Sequence, residues 1–143
     1  MKENIVSIFA IVLSLISFVF TLISFVWINN RDRKAATFDA FNHLQKDVFD
    51  KINMISKTDV KNIAANPRDS IFTEYSQYIA RIEQFCTGVF AGIYDFKITK
   101  RIAGKYLNAI YEKSLPVIEK KRMIYPDEPQ CIQFEKIVRK CAK

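Results

Sequence analysis

Histidine and tryptophan each occur once in this chain of 143 residues, glycine three times and proline four times. A lone His43 leaves no second imidazole for a metal site or a catalytic dyad. The three cysteines, Cys86, Cys131 and Cys141, lie far apart with no C-x-x-C pair. The phosphate-cradling G-x-x-x-x-G-K pattern and the G-x-S-x-G elbow are both missing, and no carboxylate pair has a spacing that suggests acid–base work. The sequence therefore predicts no catalytic residue, no metal ligand and no cofactor, and a protein that is not an enzyme. Unpaired thiols in odd number fit small core residues in a reducing compartment. No stretch alternates apolar and polar residues for long enough to specify a strand.

Charge is absent from Ile5 to Ile28, as are Gly and Pro. Read as a helix, that segment is roughly 36 Å long, more than the ~30 Å hydrocarbon core of a bilayer. It ends in Trp27, Ile28 and then Arg31, Asp32, Arg33 and Lys34, with no small-residue cleavage site, so the expectation is an uncleaved anchor with an interfacial Trp. Before it stand only Lys2 and Glu3, which cancel; the formal net charge of +7 lies entirely after it. The excess of Lys and Arg on the C-terminal flank predicts an N-terminus outside and a C-terminal domain in the cytoplasm, at a bacterial inner membrane. The expected division is an anchor over 1–30 and a helical domain over 31–143.

Within the anchor, the small and hydroxylated residues are not scattered. Ser7, Ser14 and Thr21 share one heptad position, and Ala10, Ser17 and Ser24 share another, while the remaining positions are Ile, Val, Leu, Phe or Trp. Three readings stay open. The stripe is a dry seam where helices of a homo-oligomer pack closely and hydroxyls bond across the interface; it lines a pore in which Ser and Thr replace part of an ion's hydration shell; or the hydroxyls bond back to their own helix and the pattern is an accident. The same register continues through Ile28, Arg31, Ala35 and Phe38. A symmetric bundle would place an apolar constriction at Ile28 and a cationic ring at Arg31, which otherwise is an interfacial anchor that snorkels.

The pattern after the anchor is helical throughout. Phe38, Phe41, Leu44, Val48, Ile52 and Ile55 continue the first helix as a stalk predicted to end between Ser56 and Pro67. A second helix is expected from Asp69 or Ser70, burying Phe72, Tyr75, Ile79, Ile82, Phe85 or Cys86, Val89 and Ile93, with Gly88 and Gly92 admitting a neighbouring backbone. A third carries Ile98, Ile102, Tyr106, Leu107 and Ile110 inward and kinks or restarts at Pro116. A last short helix buries Ile132, Phe134, Ile137, Val138 and Cys141. The fold class is all-α: a membrane helix, its stalk and a small helical bundle.

Lys97, Lys100, Arg101 and Lys105 make a cationic ridge on the third helix, with Tyr94, Tyr106 and Tyr111 near enough in sequence to offer stacking rings. Further basic clusters are Lys120 to Arg122, and Lys136, Arg139, Lys140 and Lys143. Such a ridge is a solvated face, a contact for anionic lipid, or a site for a nucleotide or oligonucleotide.

The segment Tyr78 to Asp95, with Tyr78, Glu83, Gly88, Gly92 and Asp95 at set spacings, followed by ITKRIAGKYLNAIYEKSLPVIEKKR, resembles a family of short bacterial membrane proteins catalogued as a domain of unknown function. The resemblance implies one membrane helix plus a helical domain in which Glu83 and Asp95 are structural. The general build is also similar to membrane effectors of bacterial antiphage systems. The Hailong type among these is a channel held by an oligodeoxyadenylate signal. The resemblance implies an oligomeric, ligand-gated ion path; the alternative is a membrane-anchored scaffold that recruits a protein partner.

Overall fold

The computed structural model describes residues 2–128 and 130–142, with side chains from Ala10 onward, so the Ser7 side chain lies outside the described residues. All regular structure among them is helical, as the periodicity predicts. Helix α1 runs Lys2–Leu44, passes through a π-helical turn at Gln45–Phe49 and continues as α2, Asp50–Met54; then follow α3 (Lys57–Ala65), α4 (Ser70–Phe90), α5 (Phe96–Ile124) and α6 (Ile132–Cys141).

Helices α3, α4 and α5 each begin where a short polar side chain takes up a free backbone N–H group. The Ser56 hydroxyl accepts from the Asp59 N–H at 3.1 Å and donates to its carboxylate at 2.6 Å. Asp69 accepts from Ile71 N–H at 3.2 Å, and Asp95 from Ile98 N–H at 2.9 Å. The Asp69 start agrees with the sequence reading. The stalk, however, stops earlier than predicted: Ile55 is extended (ψ 131°), which ends α2 at Met54. Ser56-x-x-Asp59 then caps α3, a helix the periodicity alone did not separate from the stalk. At Pro116, where the sequence predicts a kink or a restart, the helix does not restart. Pro116 sits inside a continuous α5, where it removes one N–H from the ladder and its ring crowds the carbonyl of Glu112.

The chain folds back on itself in alternating directions. Phe41 and Phe49 pack on Tyr106 with ring centroids 6.2 and 6.3 Å apart, and Lys113 reaches Ile52 and Asn53, so α5 descends alongside α1 and α2. α4 ascends, and α6 ascends beside both, from the Phe134 contact with Tyr111 at 5.2 Å to Cys141 against Gly104. Val48, Phe49, Ile52, Ile79, Ile82, Leu107, Ile110, Ile118, Phe134 and Ile137 are buried in a single core. Each such side chain contributes about 1.5–3 kcal/mol relative to exposure. The neighbours Val48 and Phe49 of the π turn are both fully buried, as are Val117 and Ile118 in α5, since a core-facing stripe includes adjacent positions. Phe38 and Ile93, expected inside, are 46% and 59% exposed, and Tyr106 is 45% exposed at the edge of its aromatic cluster. Fully buried Thr37 takes the inward place at the level of Phe38.

Candidate functional surface

The first part of α1 stands clear of the domain. From Ile11 to Ile28 every large apolar side chain is exposed, and the helix is long and apolar enough to cross a membrane, its best window having a mean hydropathy of 2.6 with none of it buried. Ser14, Ser17, Thr21 and Ser24 are exposed with the rest. The Thr21 hydroxyl donates to the Ser17 carbonyl at 2.8 Å, the back-bond that a Thr in a helix readily makes.

Where the stripe points relative to the domain follows from helical geometry. At about 100° per residue, Ala10, Ser14, Ser17, Thr21 and Ser24 centre roughly 170° around α1 from the buried Thr37, Phe41 and Leu44. Ile28, Arg31 and Ala35 continue on the stripe side. All three are exposed, as is Phe38. The domain therefore occupies the back of the helix and leaves the hydroxylated face open along its length. Arg31 lies 3.3 Å from the Asp32 carboxylate, an exposed pair worth little by itself.

Two polar ties hold the domain to this rod. Thr37 Oγ1 donates to the Arg33 carbonyl at 2.7 Å and accepts from the Asp95 N–H at 2.8 Å, joining α1 to the start of α5. Lower down, the Lys113 ammonium donates to the carbonyls of Ile52 and Asn53 at 2.7 and 3.2 Å, closing the C-terminal end of α2. Burial and the nearby Lys57 lower the pKa of this amine.

Lys97, Lys100, Arg101 and Lys105 are all exposed along α5, so the ridge exists as a surface. The aromatic rings expected beside it are committed elsewhere. Tyr94 stacks on Phe85 at 5.2 Å, Tyr111 meets Phe134 edge-on at the same distance, and one face of Tyr106 packs on Phe49. Tyr94 and Tyr111 are core supports, whereas Tyr106 is 45% exposed. Arg122 and Arg139 are likewise engaged, both with Glu135.

The five motif residues are architectural, as the resemblance implies for Glu83 and Asp95. The Glu83 carboxylate accepts from Gln133 N–H at 2.9 Å and Phe134 N–H at 2.7 Å, capping α6 from a neighbouring helix where its own preceding residue, Cys131, provides no side-chain cap. Tyr78 donates to Glu74. The two glycines serve purposes other than the backbone approach expected of them. At Gly88 an added Cβ would lie 2.6 Å from the Tyr94 ring, so a side chain fills that space, and the Gly88 carbonyl accepts from Ile93 and Tyr94. Gly92 has φ +75°, the left-handed residue that closes α4.

One feature of the domain carries no motif in the sequence. A cleft of about 310 Å³ beside the π turn is lined by His43, Leu44, Asp47, Arg81, Gln84 and Tyr94, among others. His43 itself is exposed, 3.7 Å from Asp39. No spacing in the sequence marks the place, because its lining residues come from α1, the π turn, α4 and the turn before α5.

The described residues contain no group of three or more His, Cys, Asp or Glu able to hold a metal ion. The architecture is that of a long apolar helix joined to a small helical domain, and the chain belongs to the family DUF4760, described as a domain of unknown function, whose model matches residues 5–141. No curated protein and no solved structure matches the chain.

Proposed function

We propose that this is a homo-oligomeric, single-pass membrane protein in which sister helices meet along Ala10, Ser14, Ser17, Thr21 and Ser24, and that the resulting bundle is a gated ion path. The observation that carries the reading is the opposition of stripe and domain: copies can close around the stripe while every domain stays on the outside of the bundle. The basic flank after the span orients the domain to the cytoplasm. The ties at Thr37 and Lys113 couple the domain to the rod, so an anionic signal, a nucleotide or oligonucleotide, held along Lys97, Lys100, Arg101 and Lys105 would act on the bundle directly. In this reading Ile28 forms the narrow apolar ring and Arg31 a cationic one, and the build supports a place among bacterial antiphage effectors.

A second reading, a non-conducting scaffold, draws support from the Thr21 bond to Ser17, since a hydroxyl satisfied within its own helix needs no water beside it. Cysteines at Ser17 and Ser24 in native membranes, followed by recording from purified protein in planar bilayers, separate the two. A channel gives cross-linked species and currents that change with oligonucleotide. A scaffold gives cross-linking and silence. Single chains alone overturn both. Ser17→Asp sharpens the distinction, because a charge in a dry seam costs at least ~2.5 kcal/mol and would disperse the oligomer.

A further inference from the structure

The corner between α4 and α5 combines features that suit a lipid surface. Its exposed apolar residues, Ile93 at 59% and Phe90 at 38% exposure, project where two helices turn. Around them stand Lys97 and Lys100 from the first turns of α5, and Lys140 from the end of α6, whose ammonium sits 4.6 Å over the Phe90 ring and 6.0 Å over that of Phe96. These cations come from segments forty residues apart in sequence, and the ascent of α6 brings them to one end of the domain. The Debye-scale reach of such a cluster matters only if its height is right.

The height is fixed by the bond from the Asp95 N–H to Thr37 Oγ1, 2.8 Å long. Thr37 lies nine residues after Ile28, about 14 Å along the helix. The headgroup layer of one leaflet takes up about 5–7 Å of that, leaving a gap of about 7–9 Å, comparable with the ~8 Å screening length of physiological salt. The span is also roughly 6 Å longer than the hydrocarbon it crosses, an excess that tilting absorbs; a tilt toward the domain lowers the corner onto the headgroups. We infer that the α4–α5 corner is a membrane-contact surface, in which Ile93 and Phe90 enter the interfacial layer and Lys97, Lys100 and Lys140 engage anionic headgroups of the leaflet on the domain's side. The inference rests on the reading of α1 as membrane-spanning, and it assigns the upper end of the basic ridge to lipid, leaving Arg101 and Lys105 to a soluble ligand.

The test uses the full chain in nanodiscs of phosphatidylcholine, with or without phosphatidylglycerol, in a Cys141→Ser background. An environment-sensitive fluorophore is placed at Ile93→Cys, and at Met123→Cys as a control near the far end of α5. The emission of Trp27, the sole tryptophan, reports separately whether the span is in the bilayer. The expected result is a blue shift at position 93 in anionic discs, absent at position 123, weakened by salt and lost when Lys97→Glu and Lys140→Glu are added. Far-UV circular dichroism of the charge-reversed protein verifies that the domain is folded. Position 93 behaving like position 123 in both lipids, with Trp27 shielded, overturns the inference while leaving the span intact; an exposed Trp27 overturns the spanning reading as well. A shift at 93 produced by oligodeoxyadenylate in neutral discs, and not by anionic lipid, overturns it in favour of a nucleic-acid surface.

Discussion

The Thr37 hydroxyl joins residues 58 positions apart: it gives its proton to its own helix at Arg33 and receives the Asp95 N–H. A fully buried hydroxyl with both a donor and an acceptor bond leaves the start of α5 no alternative height on α1. Replacing Thr37 with Val keeps the shape and strands the Asp95 N–H. The expected loss is about 1–3 kcal/mol, read as a lower urea midpoint of the detergent-solubilised protein. An unchanged midpoint would mean that water replaces the hydroxyl.

Glu83 should matter more than its partial exposure suggests. Glu83→Ala frees the N–H groups of Gln133 and Phe134 at once, and a cost of about 1–3 kcal/mol is expected. Hydrogen exchange locates the effect: α6 amides should lose protection before those of α5. Uniform loss across the domain would show that the contact supports the whole core and not one helix end.

Gly88→Ala places a methyl inside the Tyr94 ring contact and is expected to destabilise by about 1–3 kcal/mol. The cause can be isolated, because the penalty should shrink when Tyr94→Ala is made in the same chain. A penalty of equal size in both backgrounds would mean that the ring was not the obstacle.

The Arg122–Glu135 pair sets the acid behaviour. The hydrogen bond from Arg122, 2.7 Å long, holds the Glu135 carboxyl below its ordinary 4.5. A folded value below the unfolded one means that its contribution is complete above about 4.5 and disappears as pH falls through the folded value. Thermal melts should therefore show Glu135→Gln costing about 1 kcal/mol at neutral pH, at the upper end for partly exposed pairs, with the difference from the parent closing in acid. A constant difference down to strong acid would rule out the ion pair as its source.

Thiol chemistry offers a measure of the core. Burial pushes the Cys86 thiol far up and Cys131 to about 11, while Cys141 is half-exposed with a smaller rise. Maleimide at neutral pH should label Cys141 first and reach the other two only in denaturant, as peptide mass spectrometry would resolve. Rapid native labelling of Cys86 would show that α4 opens from the core.

The fold class was legible because apolar residues recur at helical spacing and Asp69 is followed by a clean amphipathic run. What escaped was local. Phe38 fits the heptad of the stalk, but at the junction the core takes Thr37, whose hydroxyl can bond inward, and the neighbouring phenylalanine is left outside. Phe41, Leu44, Val48, Phe49 and Ile52 all fit an ordinary helical stripe, so the π turn leaves no mark on the apolar pattern. Ser56-x-x-Asp59 did announce α3, yet the apolar run overrode it. The stripe and the ridge could be written down from the sequence. Their relation to the domain could not, since it depends on which side of α1 the other helices take.

That side depends in turn on three residues. Thr37, Phe41 and Leu44 enter the core from α1 itself, in one unbroken α ladder with the strip, so inserting or deleting one residue between Ser24 and Thr37 would swing the strip by about 100° about the axis relative to the domain. The azimuth of the hydroxylated strip is thus not inherited from the strip itself. It is dialled in from below, by the number of residues that separate the strip from the first core contact at Thr37.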